Sequence, residues 1–204
     1  MDLITLLTYF ELIGVVAFAI SGALVGINKE LDIFGVIFLS IITAVGGGIF
    51  RDIAIGNTPP TSFINPLSSF ISMLTGFIVF FTHKKIIKFS KVILITDALW
   101  LSVFSVIGCR TAIVNGANSL FVAVVTGLST GIGGGILRDV FVNNIPYVLK
   151  KEIYAIASII GALSYFYISK QLSEVLSLYI CATITFIIRI ISLKFNVSLP
   201  VRKL

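Results

Sequence analysis

Eight charged side chains lie inside long apolar stretches of this sequence, where a charge is costly unless it is paired or meets water. They are Glu11, Arg51, Asp52, Asp97, Arg110, Arg138, Asp139 and Arg189. Two Arg-Asp pairs among them end the matching segments Gly46-Gly47-Gly48-Ile49-Phe50-Arg51-Asp52 and Gly133-Gly134-Gly135-Ile136-Leu137-Arg138-Asp139. Ionisable residues at membrane depth are typical of ion or substrate paths. The pattern therefore predicts the handling of a small ion or polar solute.

Each Arg-Asp pair has two interpretations, which the sequence leaves open. In the first, the two side chains neutralise each other at a helix end and hold that helix in place. In the second, they set the electrostatics of a water-filled path or latch it shut. An arginine would repel cations, so Arg51 and Arg138 are expected to anchor or gate the path. Asp52 and Asp139 would be their partners.

The glycine triplets are the second feature. Glycine costs roughly 1 kcal/mol relative to alanine inside a helix, so two triplets at corresponding positions predict two helices that are interrupted or kinked there. Backbone carbonyls freed at such a break carry the negative end of the helix dipole and can replace part of the hydration shell of a monovalent cation. The hydroxyls expected to add to them belong to Thr43, Ser129 and Thr130.

The sequence repeats itself beyond the two motifs. The triplets lie 87 positions apart, and Glu11 and Asp97 lie 86 apart, which indicates an internal duplication. As equivalent acids, Glu11 and Asp97 could attract cations or pair with a nearby Lys or Arg.

Composition places all of these residues in a membrane. Of 204 residues, 57% are hydrophobic and 12% are charged, whereas soluble domains carry about 25% charged residues. The sequence has no phosphate-binding Gly-Lys-Ser/Thr loop and no His-Glu-x-x-His motif, and its one histidine, His83, is expected in a loop. We therefore expect no enzyme, no cofactor, and no metal beyond transient monovalent cations.

The expected fold is an all-α integral membrane protein, residues 1–204 forming one transmembrane domain. About seven spans are predicted, over residues 4–26, 32–55, 67–82, 92–113, 118–142, 152–169 and 174–194. They form a first repeat at about 4–82, a second at about 92–169 and one extra helix at about 174–194. Because each repeat holds three spans, the second copy must enter the membrane from the opposite side. The repeat is thus expected to be inverted.

Lysine and arginine in the short loops predict the orientation. The basic residues that share a side with the C-terminus are Lys29, Lys84, Lys85, Lys88, Lys91, Lys150, Lys151, Lys194, Arg202 and Lys203. This bias places the C-terminus in the cytoplasm and the N-terminus outside. The net charge of +6 is then a topology signal, and no nucleic-acid partner is expected.

The duplicated motif, the plan of three plus three plus one spans and the chain length together resemble the prokaryotic TRIC (trimeric intracellular cation) channels. The resemblance implies seven transmembrane helices, a homotrimer in the cell membrane among lipids, and one potassium-permeable pore per protomer. It also implies that the second and fifth spans are kinked at the triplets and line the pore. By motif, this role is carried over to Gly46, Gly47, Gly48, Gly133, Gly134 and Gly135, and less directly to both Arg-Asp pairs.

Two other classes remain open. The same sequence group has been described as transporters of small amino acids, and inverted repeats with broken helices suit a transporter of glycine equally well. A non-conducting scaffold would leave the triplets unexplained. We favour a channel whose pore lies among the first, second, fourth and fifth spans.

Overall fold

A computed structural model describes residues 3–86, 90–116, 119–150, 153–195 and 197. All regular secondary structure in these segments is helical. The helices are α1 (Leu3–Asn28), α2 (Ile33–Ala54), α3 (Thr61–Ile64), α4 (Leu67–Ile86), α5 (Ser90–Val114), α6 (Leu120–Phe141), α7 (Tyr147–Lys150), α8 (Tyr154–Ile168) and α9 (Glu174–Phe195). The expected all-α fold is confirmed.

Seven of these helices match the seven predicted spans to within a few residues. Six of them are long and apolar enough to cross a membrane, and α8 is a shorter apolar helix. Its 15 residues give a length of about 22 Å at 1.5 Å per residue, against about 30 Å for a bilayer core. The protein is therefore a multi-pass membrane protein. Lys88, Lys151, Arg202 and Lys203, used above for orientation, lie outside the described residues.

Six of the seven apolar helices form two groups of three. In one group α1, α2 and α4 contact each other, and in the other α5, α6 and α8 do so. The groups meet mainly where α2 crosses α6 and where α1 lies beside α5, while α9 packs on α5 and α8. Small apolar cores lie inside each group, such as Ala23, Val36 and Val79 in the first. This arrangement places the two triplet-bearing helices side by side at the centre.

The expected interruption of the helices at Gly46 and Gly133 is wrong. Both α2 and α6 are α-helical through their triplets, to Ala54 and Phe141. Neither helix therefore ends at its triplet, and the expected half-helix ends are not formed there. The physical reason is tertiary contact, which overrides the weak helix propensity of glycine. A bend at either triplet stays a prediction.

Two short helices were not predicted. α3 and α7 are single turns in the links that follow α2 and α6, and each begins directly after a proline, Pro60 or Pro146. They matter for the site, because their first N–H groups bond the aspartates of the two motifs.

Candidate functional site

The site is built around the crossing of α2 and α6. A β-carbon on Gly47 would lie 2.8 Å from the Thr130 carbonyl oxygen and 2.9 Å from that of Ser129, and a β-carbon on Gly134 would overlap the carbonyl of Thr43. Residue numbers thus rise along α2 as they fall along α6, so the helices cross antiparallel. Only glycine allows backbones to approach this closely.

The three glycines of each triplet have different surroundings. Gly47 and Gly134 face the opposite backbone, and a β-carbon on Gly133 would lie 3.1 Å from the Gly47 α-carbon. Gly48 and Gly135 each line a cavity, where an added β-carbon would meet only the guanidinium of its own motif at 3.8 and 4.0 Å. Each triplet therefore has a contact side and an open side.

In the first Arg-Asp pair, the two neighbouring side chains form an ion pair with each other. Asp52 Oδ1 accepts a hydrogen bond from Arg51 Nε at 2.9 Å and lies 2.8 Å from Arg51 Nη2. Asp52 Oδ2 accepts a hydrogen bond from the backbone N–H of Thr61, the first residue of α3, at 2.8 Å. The carboxylate is 1% exposed. Asp52 thus joins the end of α2 to the start of α3 while it neutralises Arg51.

The second pair repeats this geometry. Arg138 Nε donates to Asp139 Oδ1 at 2.8 Å, and the backbone N–H of Tyr147, the first residue of α7, donates to Asp139 Oδ2 at 2.9 Å. One contact has no counterpart in the first pair: Arg138 Nη1 donates to Ser21 Oγ of α1 at 2.7 Å. The position 86 residues after Ser21 is Ile107, which has no polar side chain.

Mutual neutralisation within each pair is therefore present, as the first interpretation expected. The antiparallel crossing places the two pairs at opposite ends of the contact. Each lies about 6 Å along its helix from the crossing glycine, since four residues rise 1.5 Å each. A role of either pair in gating stays a prediction.

The predicted hydroxyls bond within their own helices. Thr43 Oγ1 donates to the Leu39 carbonyl and Thr130 Oγ1 to the Thr126 carbonyl, both at 2.6 Å, while Ser129 Oγ donates to the Thr126 carbonyl at 3.0 Å. Thr43 and Thr130 line a cavity beside the crossing. Their oxygens keep lone pairs free to accept, so they can face a cation or water there.

A cavity of about 320 Å³ lies on the side of the crossing where α2 reaches its C-terminal end and Arg51 and Asp52 are found. We call it the Arg51 cavity. Its charged lining residues are Glu11, Arg51, Asp52 and Arg110. Arg110 Nε also forms an ion pair with Glu174 Oε1, which ties α5 to the start of α9. Arg51 and Arg110 are both paired, and Glu11 adds a further carboxyl group to this lining.

A second cavity, of about 190 Å³, lies on the opposite side of the crossing, where α6 reaches its C-terminal end and Arg138 and Asp139 are found. We call it the Arg138 cavity, and its charged lining residues are Asp97, Arg138, Asp139 and Arg189. Tyr154 Oη donates to Asp97 Oδ1 at 3.2 Å, and the Arg189 guanidinium carbon lies 4.5 Å from the centre of the Tyr154 ring. Glu11 and Asp97, equivalent in the repeat, thus lie in opposite cavities.

Phe18 and Tyr154 are among the lining residues that sequence reasoning did not name as site residues. Phe18 lines both cavities, and its ring stacks on that of Phe104 at 5.5 Å. The separation of 86 positions between Phe18 and Phe104 was a usable signal, because it equals that between Glu11 and Asp97. No sequence signal pointed to Tyr154.

Comparison with known proteins decides the family. A family model described as "Glycine transporter" matches residues 8–84 and 94–170. A UPF0126 membrane protein of Deinococcus radiodurans is 34% identical over 97% of this chain and 93% of its own. A solved structure described by the words "Structural basis for conductance through TRIC cation channels" superposes on this chain with TM-score 0.92. The two sequences are 34% identical, and the match covers 97% of both chains. The chain belongs to the TRIC family.

A second TRIC structure supports the assignment. The trimeric intracellular cation channel orthologue from Rhodobacter sphaeroides has TM-score 0.87 and 30% identity, over 95% of this chain and all of its own. The two segments matched by the family model are separated by 86 residues at both ends. This TRIC chain therefore resembles its relatives over nearly its full length.

Proposed function

We propose that this protein conducts monovalent cations, chiefly potassium, along a path within each protomer. The path runs from the Arg51 cavity, past the crossing of α2 and α6, into the Arg138 cavity. The observation that carries the proposal is that these cavities lie at opposite ends of the glycine contact and share Phe18 in their linings. Helices α1, α2, α5 and α6 surround the path.

The lining chemistry suits a weakly held cation. Within each Arg-Asp pair the two charges neutralise each other, so neither pair binds a cation tightly or forms an anion site. Threonine hydroxyls and the Glu11 carboxylate offer oxygen ligands in the Arg51 cavity, and Asp97 offers one in the Arg138 cavity. Conduction requires such modest and distributed binding, because an ion that binds strongly at one point does not leave it.

The assembly and orientation belong to the same proposal. We propose a homotrimer in the plasma membrane, in contact with lipids, because the Rhodobacter sphaeroides relative is described as a trimeric channel. The basic residues at the ends of α1, α4 and α9 (Lys29, Lys84 and Lys194) favour a cytoplasmic C-terminus. In an inverted repeat of this orientation, the Arg51 cavity opens outside and the Arg138 cavity opens to the cytoplasm.

The test is potassium flux into proteoliposomes that contain the purified protein. A potassium gradient should drive a rapid flux that reaches a diffusion potential, and replacement of K⁺ with a large organic cation should abolish it. Flux no greater than in protein-free vesicles would contradict the proposal.

One observation favours a second candidate, a transporter of a small zwitterion such as glycine. The Arg138 cavity holds two acids and two arginines within about 190 Å³, a lining that could bind an ammonium and a carboxylate together. Uptake of labelled glycine in the same vesicles, saturable and absent with protein-free vesicles, would establish this function. Potassium flux without glycine uptake would exclude it.

A further inference from the structure

We propose that the stacked rings of Phe18 and Phe104 form the apolar barrier that closes the ion path between the two cavities. The inference rests on the proposed function and deepens it by naming the residues that gate the path. Gly48, Gly135 and both Arg-Asp pairs line the cavities themselves, so they do not form the apolar segment between them.

Position is the first argument. Among the residues that the structure describes, Phe18 is the one that lines both cavities, while Phe104 lines the Arg51 cavity. The two ring centres lie 5.5 Å apart with an interplanar angle of 18°. The side chains come from α1 and α5, one from each group of three helices. In the proposed path, an ion moving from one cavity to the other passes the edge of this pair.

The chemistry of the pair is the second argument. Phe18 and Phe104 are 6% and 7% exposed and pack with Trp100, Ala17 and Val103. These neighbours give a passing cation no oxygen in place of its hydration shell. Narrow apolar constrictions of this kind close pores by excluding water. Polar residues resume on both sides, with Thr43 in one cavity and Ser21 in the other.

Close contacts at two glycines of α1, one with a side chain and one with a backbone carbonyl, hold the helix on either side of Phe18. A β-carbon on Gly14 would lie 2.6 Å from Phe104 Cε2, and one on Gly22 would lie 2.5 Å from the Leu39 carbonyl oxygen of α2. Phe18 lies between these contacts along α1. The helix cannot rotate at Phe18 unless one of them yields, so the rings stay stacked until α1 moves.

Ser21 links the barrier to the second Arg-Asp pair. It lies about one helical turn beyond Phe18 on α1 and accepts a hydrogen bond from Arg138 at 2.7 Å. A movement of α1 that unstacks Phe18 therefore also strains the contact between Ser21 and Arg138. The barrier and this contact would open together.

Single-channel recording of Phe18→Ala and Phe104→Ala tests the proposal. Each variant is expected to raise open probability by roughly ten-fold or more, because the apolar constriction is lost. Phe18→Tyr keeps the ring and adds a hydroxyl, so it should fold and show a smaller rise. The matched control is Phe166→Ala, which removes an equally buried ring in another core cluster that lines neither cavity. It should lower thermal stability but leave open probability unchanged.

Three outcomes would overturn the barrier. If the wild type conducts and Phe18→Ala, Phe104→Ala and Phe18→Tyr all gate like Phe166→Ala, the rings are packing residues only. If the variants reduce conduction while they stay folded, the rings support an open path. If the wild type and every variant are silent, the proposed channel function fails, and the barrier fails with it.

Discussion

The α-carbon of Gly134 lies so close to the backbone carbonyl of Thr43 that a β-carbon built on it would overlap that group. Gly47 has the same relationship to Thr130 across the crossing, at 2.8 Å. The repeated triplets therefore allow two continuous helices to touch. This contact places an Arg-Asp pair and a cavity at each end.

Replacement of Gly134 with alanine tests the tight contact. The added methyl group must push α2 and α6 apart, and overpacking of this kind costs about 3 kcal/mol. We expect a clear fall in the melting temperature of the purified protein.

Gly48→Ala is the matched control, because its β-carbon meets only the Arg51 guanidinium at 3.8 Å. It should be neutral or stabilise the protein by up to about 1 kcal/mol through helix propensity. Equal losses for the two variants would show that the triplets are not needed for close approach.

Asp52→Asn and Asp139→Asn test the closed Arg-Asp pairs. Each change leaves a partly buried guanidinium without its counter-charge and weakens the link to α3 or α7, at a cost of about 3 kcal/mol. We expect lower thermal stability and altered open probability, with the ratio of K⁺ to Na⁺ permeability unchanged. A changed permeability ratio with normal stability would instead make the carboxylates part of an ion-binding site.

Ser21→Ala tests the contact that only the second pair makes. A hydrogen bond to a charged group contributes about 1.5 to 3 kcal/mol, and its loss frees Arg138 from α1. We expect a higher open probability. Ser102→Ala is the control, because Ser102 is buried and bonds the Leu99 carbonyl of its own helix. Indistinguishable gating in the two variants would remove Ser21 from the account.

Arg110 and Glu174 offer a pair of opposite tests at the Arg51 cavity. Arg110→Gln removes a positive charge from the lining and should raise cation conductance by about two-fold at low salt, where charges are least screened. Glu174→Gln leaves Arg110 unpaired and should lower conductance. Both effects should fade at high salt. Conductance changes of the same sign would show that the pair acts through the position of α9.

Most of the fold could be predicted from the sequence. Apolar run lengths and polar links predicted the seven apolar helices, and the period of 86 to 87 residues predicted two groups of three. The short helices α3 and α7 escaped, because four residues carry no periodic signal. The helix interruption was wrong because glycine propensity is a local property, whereas the contact between Gly134 and Thr43 depends on the partner helix.

The charged residues of the candidate site could be predicted from the sequence, whereas most of the contacts they make could not. Charges in apolar stretches identified Glu11, Asp97 and both Arg-Asp pairs. The bonds of Asp52 and Asp139 to α3 and α7 could not be foreseen, since those helices were unknown. The place of Phe18 between the cavities was not predicted, although its separation of 86 positions from Phe104 marks the two as equivalent in the repeat.

The most direct measurement is single-channel recording of the purified wild-type protein in planar bilayers under a KCl gradient. We predict discrete current steps that reverse near the potassium equilibrium potential. Their open probability should rise on Phe18→Ala and stay unchanged on Phe166→Ala. Two results would contradict a cation path through this fold. One is current steps that reverse near the chloride equilibrium potential. The other is a silent bilayer together with glycine uptake by the same protein in vesicles.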